Sequence, residues 1–222
     1  MNLSRPSRLP ERTTFERSLK RLEQEVLRMG TLVEESFRLS HQALFERQLD
    51  CVSKITILDR EIDRFYRQIE QDCATLLTLQ SPVAQDLRLL SAIMQLVRDL
   101  ERIGDYAKDL GDIAMKLFAY PPHACLSEIA AMSLQAQHML ATSLIALTEL
   151  ERDAGQRVKI LDDTVDDAYE RLYQVLAYQQ NIQGVVEPFI LMALMIRHLE
   201  RMADHATNIA QRVSYIITGH RG

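Results

Sequence analysis

The sequence predicts an all-α protein, two tandem three-helix bundles related by a pseudo-twofold internal repeat. Three observations carry that expectation. The chain has 7 Gly and 6 Pro in 222 residues, about half the usual share, too few turn residues for an all-β or loop-rich fold. Residues 31–81, 123–154, 156–183 and 189–218 contain neither, and apolar residues recur in them every three or four positions, as in long amphipathic helices. Finally, the two halves of the chain repeat one another. Charged residues at 26% and apolar residues at 47% exclude a disordered chain.

Six helices are expected, at about 13–47, 51–78, 83–118, 126–150, 156–179 and 186–217. Residues 1–12 read as a flexible arm, with no apolar core of the kind a secretory signal needs. The second helix carries the stripe Val52, Ile55, Leu58, Ile62, Tyr66, Ile69, Cys73, Leu76. The third carries Leu89, Ile93, Leu96, Leu100, Ile103, Ala107, Leu110, Ala114, Leu117. Both alternate steps of three and four, the seam of a bundle helix. Ser81 and Pro82 are expected as N-cap and first residue of the third helix, and Tyr120-Pro121-Pro122 as its end. The fourth helix has no formal charge over residues 129–148. Gln135, Gln137 and His138 at its centre would be penalised in a bilayer, so a buried bundle helix is expected there and no membrane insertion. Gly155 and Gly184 are expected in the last two turns.

Residues 57–66 match 160–169 at an offset of 103, and 98–105 match 197–204 at an offset of 99. The first and fourth helices align more weakly (Met29 with Met132, Ala43-Leu44 with Ala146-Leu147). The four-residue difference falls in a connection, where an insertion costs little. The expected units are therefore residues 13–120 and 121–218.

Within the repeat the polar residues are the more informative. Asp59 and Asp63 are spaced i, i+4, as are Glu101, Asp105 and Asp109; the second half has Asp162 and Asp166, then Glu200, Asp204 and Asn208. Each set forms one row on a helix face, starting one residue past a seam position. The midpoints of the first two rows, 61 and 103, average to 82, and those of the second pair, 164 and 202, average to 183; both fall at the connecting turns. Antiparallel helices rise equally per residue, so the rows of each half are expected at one height, facing across a groove. Like charges at i, i+4 cost about 0.2–0.5 kcal/mol each, and facing rows add to that. Hard, oxygen-preferring cations such as iron, manganese, magnesium or sometimes zinc would offset it. The competing expectation is a solvated acidic face neutralised by Arg60, Arg64, Arg98, Arg102 and Lys108.

Other residue types point less far. A net charge of −5 with no dense basic block argues against nucleic acid. Cys51, Cys73 and Cys125 form no zinc signature or disulfide framework and are expected as buried thiols in a reducing compartment, the cytoplasm. His205 follows Asp204 but has Tyr106 as its repeat counterpart; His198 corresponds to Asp99 and could support a site from behind. Gly104 and Ala203, among the acids, are expected to admit a close neighbouring helix. Phosphate-binding glycine loops and nucleophile elbows are missing.

On these residues, above all the doubled Leu-Glu-Arg-x-x-Asp at 100–105 and 199–204, the chain resembles the PhoU proteins, bacterial regulators of phosphate uptake and phosphate signalling, over about residues 15–218. The resemblance implies two E(D)xxxD motifs per bundle: Asp59-xxx-Asp63 with Glu101-xxx-Asp105, and Asp162-xxx-Asp166 with Glu200-xxx-Asp204. It implies a multinuclear iron or zinc cluster in each bundle, no enzymatic activity and a dimeric state. It also implies contact with the phosphate-specific ABC transporter and with the phosphate-sensing membrane histidine kinase, limiting transport and restraining the kinase when phosphate is plentiful. Asn208 departs from this pattern where the first half has Asp109; an amide is a weaker ligand, so a second site with fewer or looser ions is expected. Two alternatives remain. A ferritin-type di-iron carboxylate oxidase would need Glu-x-x-His pairs facing a bundle core, and the sequence contains none. A metal-free helical scaffold would tolerate loss of Glu101 and Asp105.

Overall fold

The computed structural model describes residues 9–80, 82, 84–180 and 184–220. These form six α-helices: α1 (Leu9–Phe45), α2 (Asp50–Gln80), α3 (Ala84–Leu117), α4 (Leu126–Glu149), α5 (Ala154–Ala177) and α6 (Glu187–Thr218). The all-α expectation holds, and each helix lies within a few residues of its predicted span. Four details differ. Residues 9–12, expected in the arm, belong to α1, and residues 1–8 lie outside the described residues. Pro82 precedes α3, which starts at Ala84, and Ser81 lies outside the described residues. Arg47, expected inside the first helix, takes a left-handed conformation (φ 57°) two residues past its end. Gly155 lies in the first turn of α5 instead of in a loop; its N–H donates to Ser214 Oγ at 3.1 Å, and a Cβ there would meet that oxygen at 3.2 Å. The turn before it is closed by Leu150 (φ 51°).

α1 packs against α2 and α3, and α4 against α5 and α6; α3 against α6 and α1 against α4 join the trios. The predicted stripes form the core. Ile55, Ile62, Ile69 and Cys73 of α2 and Ile93, Leu96, Leu100, Ile103, Ala107, Leu110 and Ala114 of α3 are buried. Val52, Leu58, Tyr66, Leu76, Leu89 and Leu117 pack at its edge. Gly104 brings α2 close, as expected: a Cβ there would stand 3.1 Å from Ile62 Cδ1. All three cysteines are free and buried. Among the described residues no helix is long and apolar enough to cross a membrane.

The α3–α6 seam is polar at its centre. His205 Nδ1 lies 2.9 Å from Asp99 Oδ1, and Arg212 Nε donates to Asp99 Oδ2 at 2.8 Å and its second nitrogen to Gln95 at 2.7 Å. Tyr106 packs against His198 with ring centroids 5.2 Å apart and against His205 at 6.0 Å. Asp99 and His198, and Tyr106 and His205, are equivalent at the offset of 99. The Asp99–His205 and Tyr106–His198 contacts are therefore two copies of one contact about the repeat axis, one kept as a hydrogen bond and the other turned into ring packing. His198 does not bond its repeat counterpart; His205 holds that carboxylate. Breaking a buried ion pair from one side costs about 3 kcal/mol or more, because a charge stays behind without its partner. Asp99→Ala is therefore expected to lower unfolding stability by about 3 kcal/mol, measured as a drop in the denaturant midpoint at unchanged slope.

Candidate metal centre

The acidic rows sit where the helices of each trio meet. Asp59 and Asp63 (α2) and Glu101 and Asp105 (α3) are half-buried, with Asp109 exposed at the end of the row. In the second trio Asp162 (α5) is buried, Asp166 exposed, and Glu200, Asp204 and Asn208 (α6) half-buried. The rows face each other as the turn arithmetic predicts. Burial pushes the Glu101 carboxyl above its usual range, with Asp105 and, across the groove, Asp63 adding to the effect. Burial also raises Asp105, helped by Asp59, Asp63 and Asp109. In the second trio burial raises Asp166, with Asp162 and Asp204 contributing, and raises Glu200, with Asp204 and Asp166 contributing. In the first trio Gly104, beside Glu101 and Asp105, lies against Ile62, between Asp59 and Asp63, which sets the two rows at one height.

Lysines and arginines offset much of this charge. Lys108 Nζ reaches Asp59 at 2.7 Å, Arg67 reaches Asp63 at 2.6 Å and Arg102 reaches Asp105 at 2.9 Å. In the second trio Lys159 reaches Asp162 at 2.8 Å, Arg197 reaches Glu200 at 2.7 Å and Arg201 reaches Asp204 at 2.9 Å. Of the cations expected to neutralise the face, Arg102 and Lys108 do so, Arg98 lowers Glu101 through space, and Arg64 lies over the Phe65 ring. Arg67, Lys159, Arg197 and Arg201 were not singled out from the sequence, although their i+4 or i±3 spacing to an acid was visible there. Arg102, whose repeat counterpart is Arg201, also donates to the Tyr106 hydroxyl at 3.1 Å.

The halves differ in how they neutralise the innermost acid. Lys108 crosses from α3 to Asp59, but its repeat counterpart on α6 is Thr207, too short for that reach. Lys159 substitutes from Asp162's own helix. Asp162 Oδ1 and Thr207 Oγ1 are then both buried without a hydrogen-bond partner. A buried carboxylate oxygen lacking a donor is costly, and a cation would satisfy it. The donor set, carboxylates plus one amide, suits a hard or borderline metal ion, so the residues fit such an ion chemically. As the side chains stand, turned to their basic partners, no three His, Cys, Asp or Glu side chains among the described residues converge closely enough to hold one.

Comparison with known proteins assigns the chain to a family. The PhoU domain model matches residues 26–114 and again 129–213. The chain belongs to the PhoU family. It is 71% identical over 220 residues, 99% of this chain and 98% of the relative, to a phosphate-specific transport system accessory protein PhoU homolog of Synechocystis sp.. It is 31% identical over 94% of its length, and 96% of the relative's, to a homolog so named from Clostridium acetobutylicum. The crystal structure of PhoU from Pseudomonas aeruginosa superposes with a TM-score of 0.87 at 30% identity, over 93% of this chain and all of that one. That of the regulatory protein PhoU from Streptococcus pneumoniae gives 0.85 at 28%, over 94% of this chain and 99% of that one.

The raised Glu101 carboxyl carries a sign. Its folded pKa lies above its unfolded one, so ionising it costs stability, and the cost grows as pH rises through the folded value. In chelated protein Glu101→Gln is expected to be more stable than the parent by a few tenths of a kcal/mol at neutral pH. The gap should close below the usual carboxylate range, as followed by thermal melts from acid to neutral pH.

Proposed function

We propose that this chain regulates phosphate uptake and phosphate-starvation signalling from the cytoplasm. It would act by contact with the phosphate-specific ABC transporter and the sensor histidine kinase, as a homodimer and without enzymatic activity. In this reading the repeats are residues 13–120 and 121–218, and each binds a multinuclear cluster of iron or zinc. The relatives named as accessory proteins of the phosphate-specific transport system support the regulatory part.

The metal part rests on one observation: facing carboxylate rows in which burial, with neighbouring acids adding to it, raises Glu101 and Glu200 above their ordinary pKa, and in which Asp162 Oδ1 is buried and unsatisfied. Asp59, Asp63, Glu101, Asp105 and Asp109 would bind one cluster, and Asp162, Asp166, Glu200, Asp204 and Asn208 the other. Bound cations would supply positive charge between the rows. Lys108, Arg67 and Arg102, with Lys159, Arg197 and Arg201, pair with six of the nine row carboxylates, and would be free to turn to solvent or to a partner's acidic groups if a cation took their place. The metal-free scaffold has an observation of its own in those six ion pairs.

Two measurements separate the readings. Anaerobically prepared protein is expected to carry more than one transition-metal ion per chain, with a chelator lowering its melting temperature and Asp162→Asn removing metal. No metal and a melting temperature unmoved by chelator would establish the scaffold. Recovery of transporter and kinase from solubilised membranes on the immobilised full chain is expected to fall with chelator; equal recovery would mean that the contact does not use metal.

A further inference from the structure

The connection between the two trios carries donors of another kind. After Pro121 and Pro122 the chain runs His123-Ala124-Cys125 into α4, with Cys125 at its N-cap. His123 Nδ1 lies 2.9 Å from Cys125 Sγ, and that sulfur lies 3.6 Å from Met192 Sδ on α6. Cys125 is 4% exposed and Met192 1%. His123 is partly exposed and, with Met192, lines a cleft of about 30 Å³ walled by Pro121, Pro122 and Pro188, room for a single water or ion. An imidazole nitrogen, a thiol sulfur and a thioether sulfur thus meet, with the His123 and Met192 side chains bordering the narrow opening and the thiol enclosed in contact with both.

We propose that His123, Cys125 and Met192 bind one soft monovalent metal ion, Cu(I). Thiolate and thioether ligands select Cu(I), whereas hard ions prefer the oxygens of the acidic rows. Metal–sulfur bonds near 2.3 Å would set the two sulfurs of a trigonal site about 4 Å apart, within a few tenths of an ångström of the observed separation. The imidazole must withdraw by somewhat under 1 Å to admit the ion. His123 sits on a connection, with an edge contact to Phe189 at 5.4 Å between centroids; in withdrawing, its Nδ1 gives up the hydrogen bond it accepts from the Cys125 N–H at 3.2 Å, and the metal–nitrogen bond takes its place. Charge favours the same ion: Cu(I) on one thiolate with neutral imidazole and thioether is net neutral, so burying it avoids the penalty a divalent ion would carry there. Burial, with Glu128 adding to it, pushes the free Cys125 thiol above its ordinary pKa, so the ion itself must displace the thiol proton. On binding, a Cu–S bond forms as the S–H bond breaks; the thiol proton goes to water and copper keeps its oxidation state. Cys51 instead faces the amide oxygens of Gln42 and Gln48, and Cys73 is fully enclosed.

The test titrates the reduced, chelator-stripped full chain with Cu(I) under anaerobic conditions against bicinchoninate, a coloured Cu(I) chelator. One equivalent of copper per chain is expected to be withdrawn from the dye. The Cys51→Ser/Cys73→Ser variant should withdraw it equally, Cys125→Ser should not, and Met192→Leu and His123→Asn should bind at least about tenfold more weakly with the melting temperature kept. If Cys125→Ser fails to fold, Met192→Leu, which conserves volume, decides the matter. No withdrawal by the parent chain, equal withdrawal by Cys125→Ser or Met192→Leu, or loss in the Cys51/Cys73 variant would overturn the proposal.

Discussion

Carboxylates held face to face across a helix pair need positive charge close by, and much of this molecule is arranged around that need. The rows are fixed by packing: those of α3 and α6 begin one residue past a buried seam position, Leu100 before Glu101 and Leu199 before Glu200, and those of α2 and α5 one residue past a partly buried one, Leu58 and Leu161, so the core that stabilises the helices also forces the acids together. Burial raises the carboxyls of Glu101, Asp105 and Glu200, and the neighbouring acids raise them further. Basic side chains from the same or the facing helix offset the cost.

The two halves meet that need differently, and the difference marks their divergence after duplication. In the first, Lys108 crosses from α3 to Asp59. In the second, that position is Thr207, the lysine has moved to Lys159 on α5, and two buried polar atoms go unsatisfied. Asn208 stands where the first half has Asp109, while the inner oxygen of Asp162 is buried without a hydrogen-bond partner.

The repeat axis runs through the α3–α6 seam, and chemistry there follows from symmetry. Positions that lie on the axis meet their own equivalents, so Tyr106 stacks on His205, with Arg102 donating to its hydroxyl. Arg102 and its equivalent Arg201 each bind a carboxylate of their own half, Asp105 or Asp204.

By itself the sequence determined the helices, their buried faces, the duplication and the common height of the acidic rows, because helical rise and periodicity are local and turn positions follow from Gly and Pro. It was read less well where a residue's role depends on what arrives from elsewhere in the chain. Gly155 looked like a turn residue, yet its lack of a side chain serves the approach of Ser214 and Gln211 from α6. Asp99 and His205 are neighbours only because α3 and α6 pack antiparallel, and His123, Cys125 and Met192 meet only when the connection folds against α6. Such contacts span tens to a hundred residues, and only the packing of the helices against one another decided them.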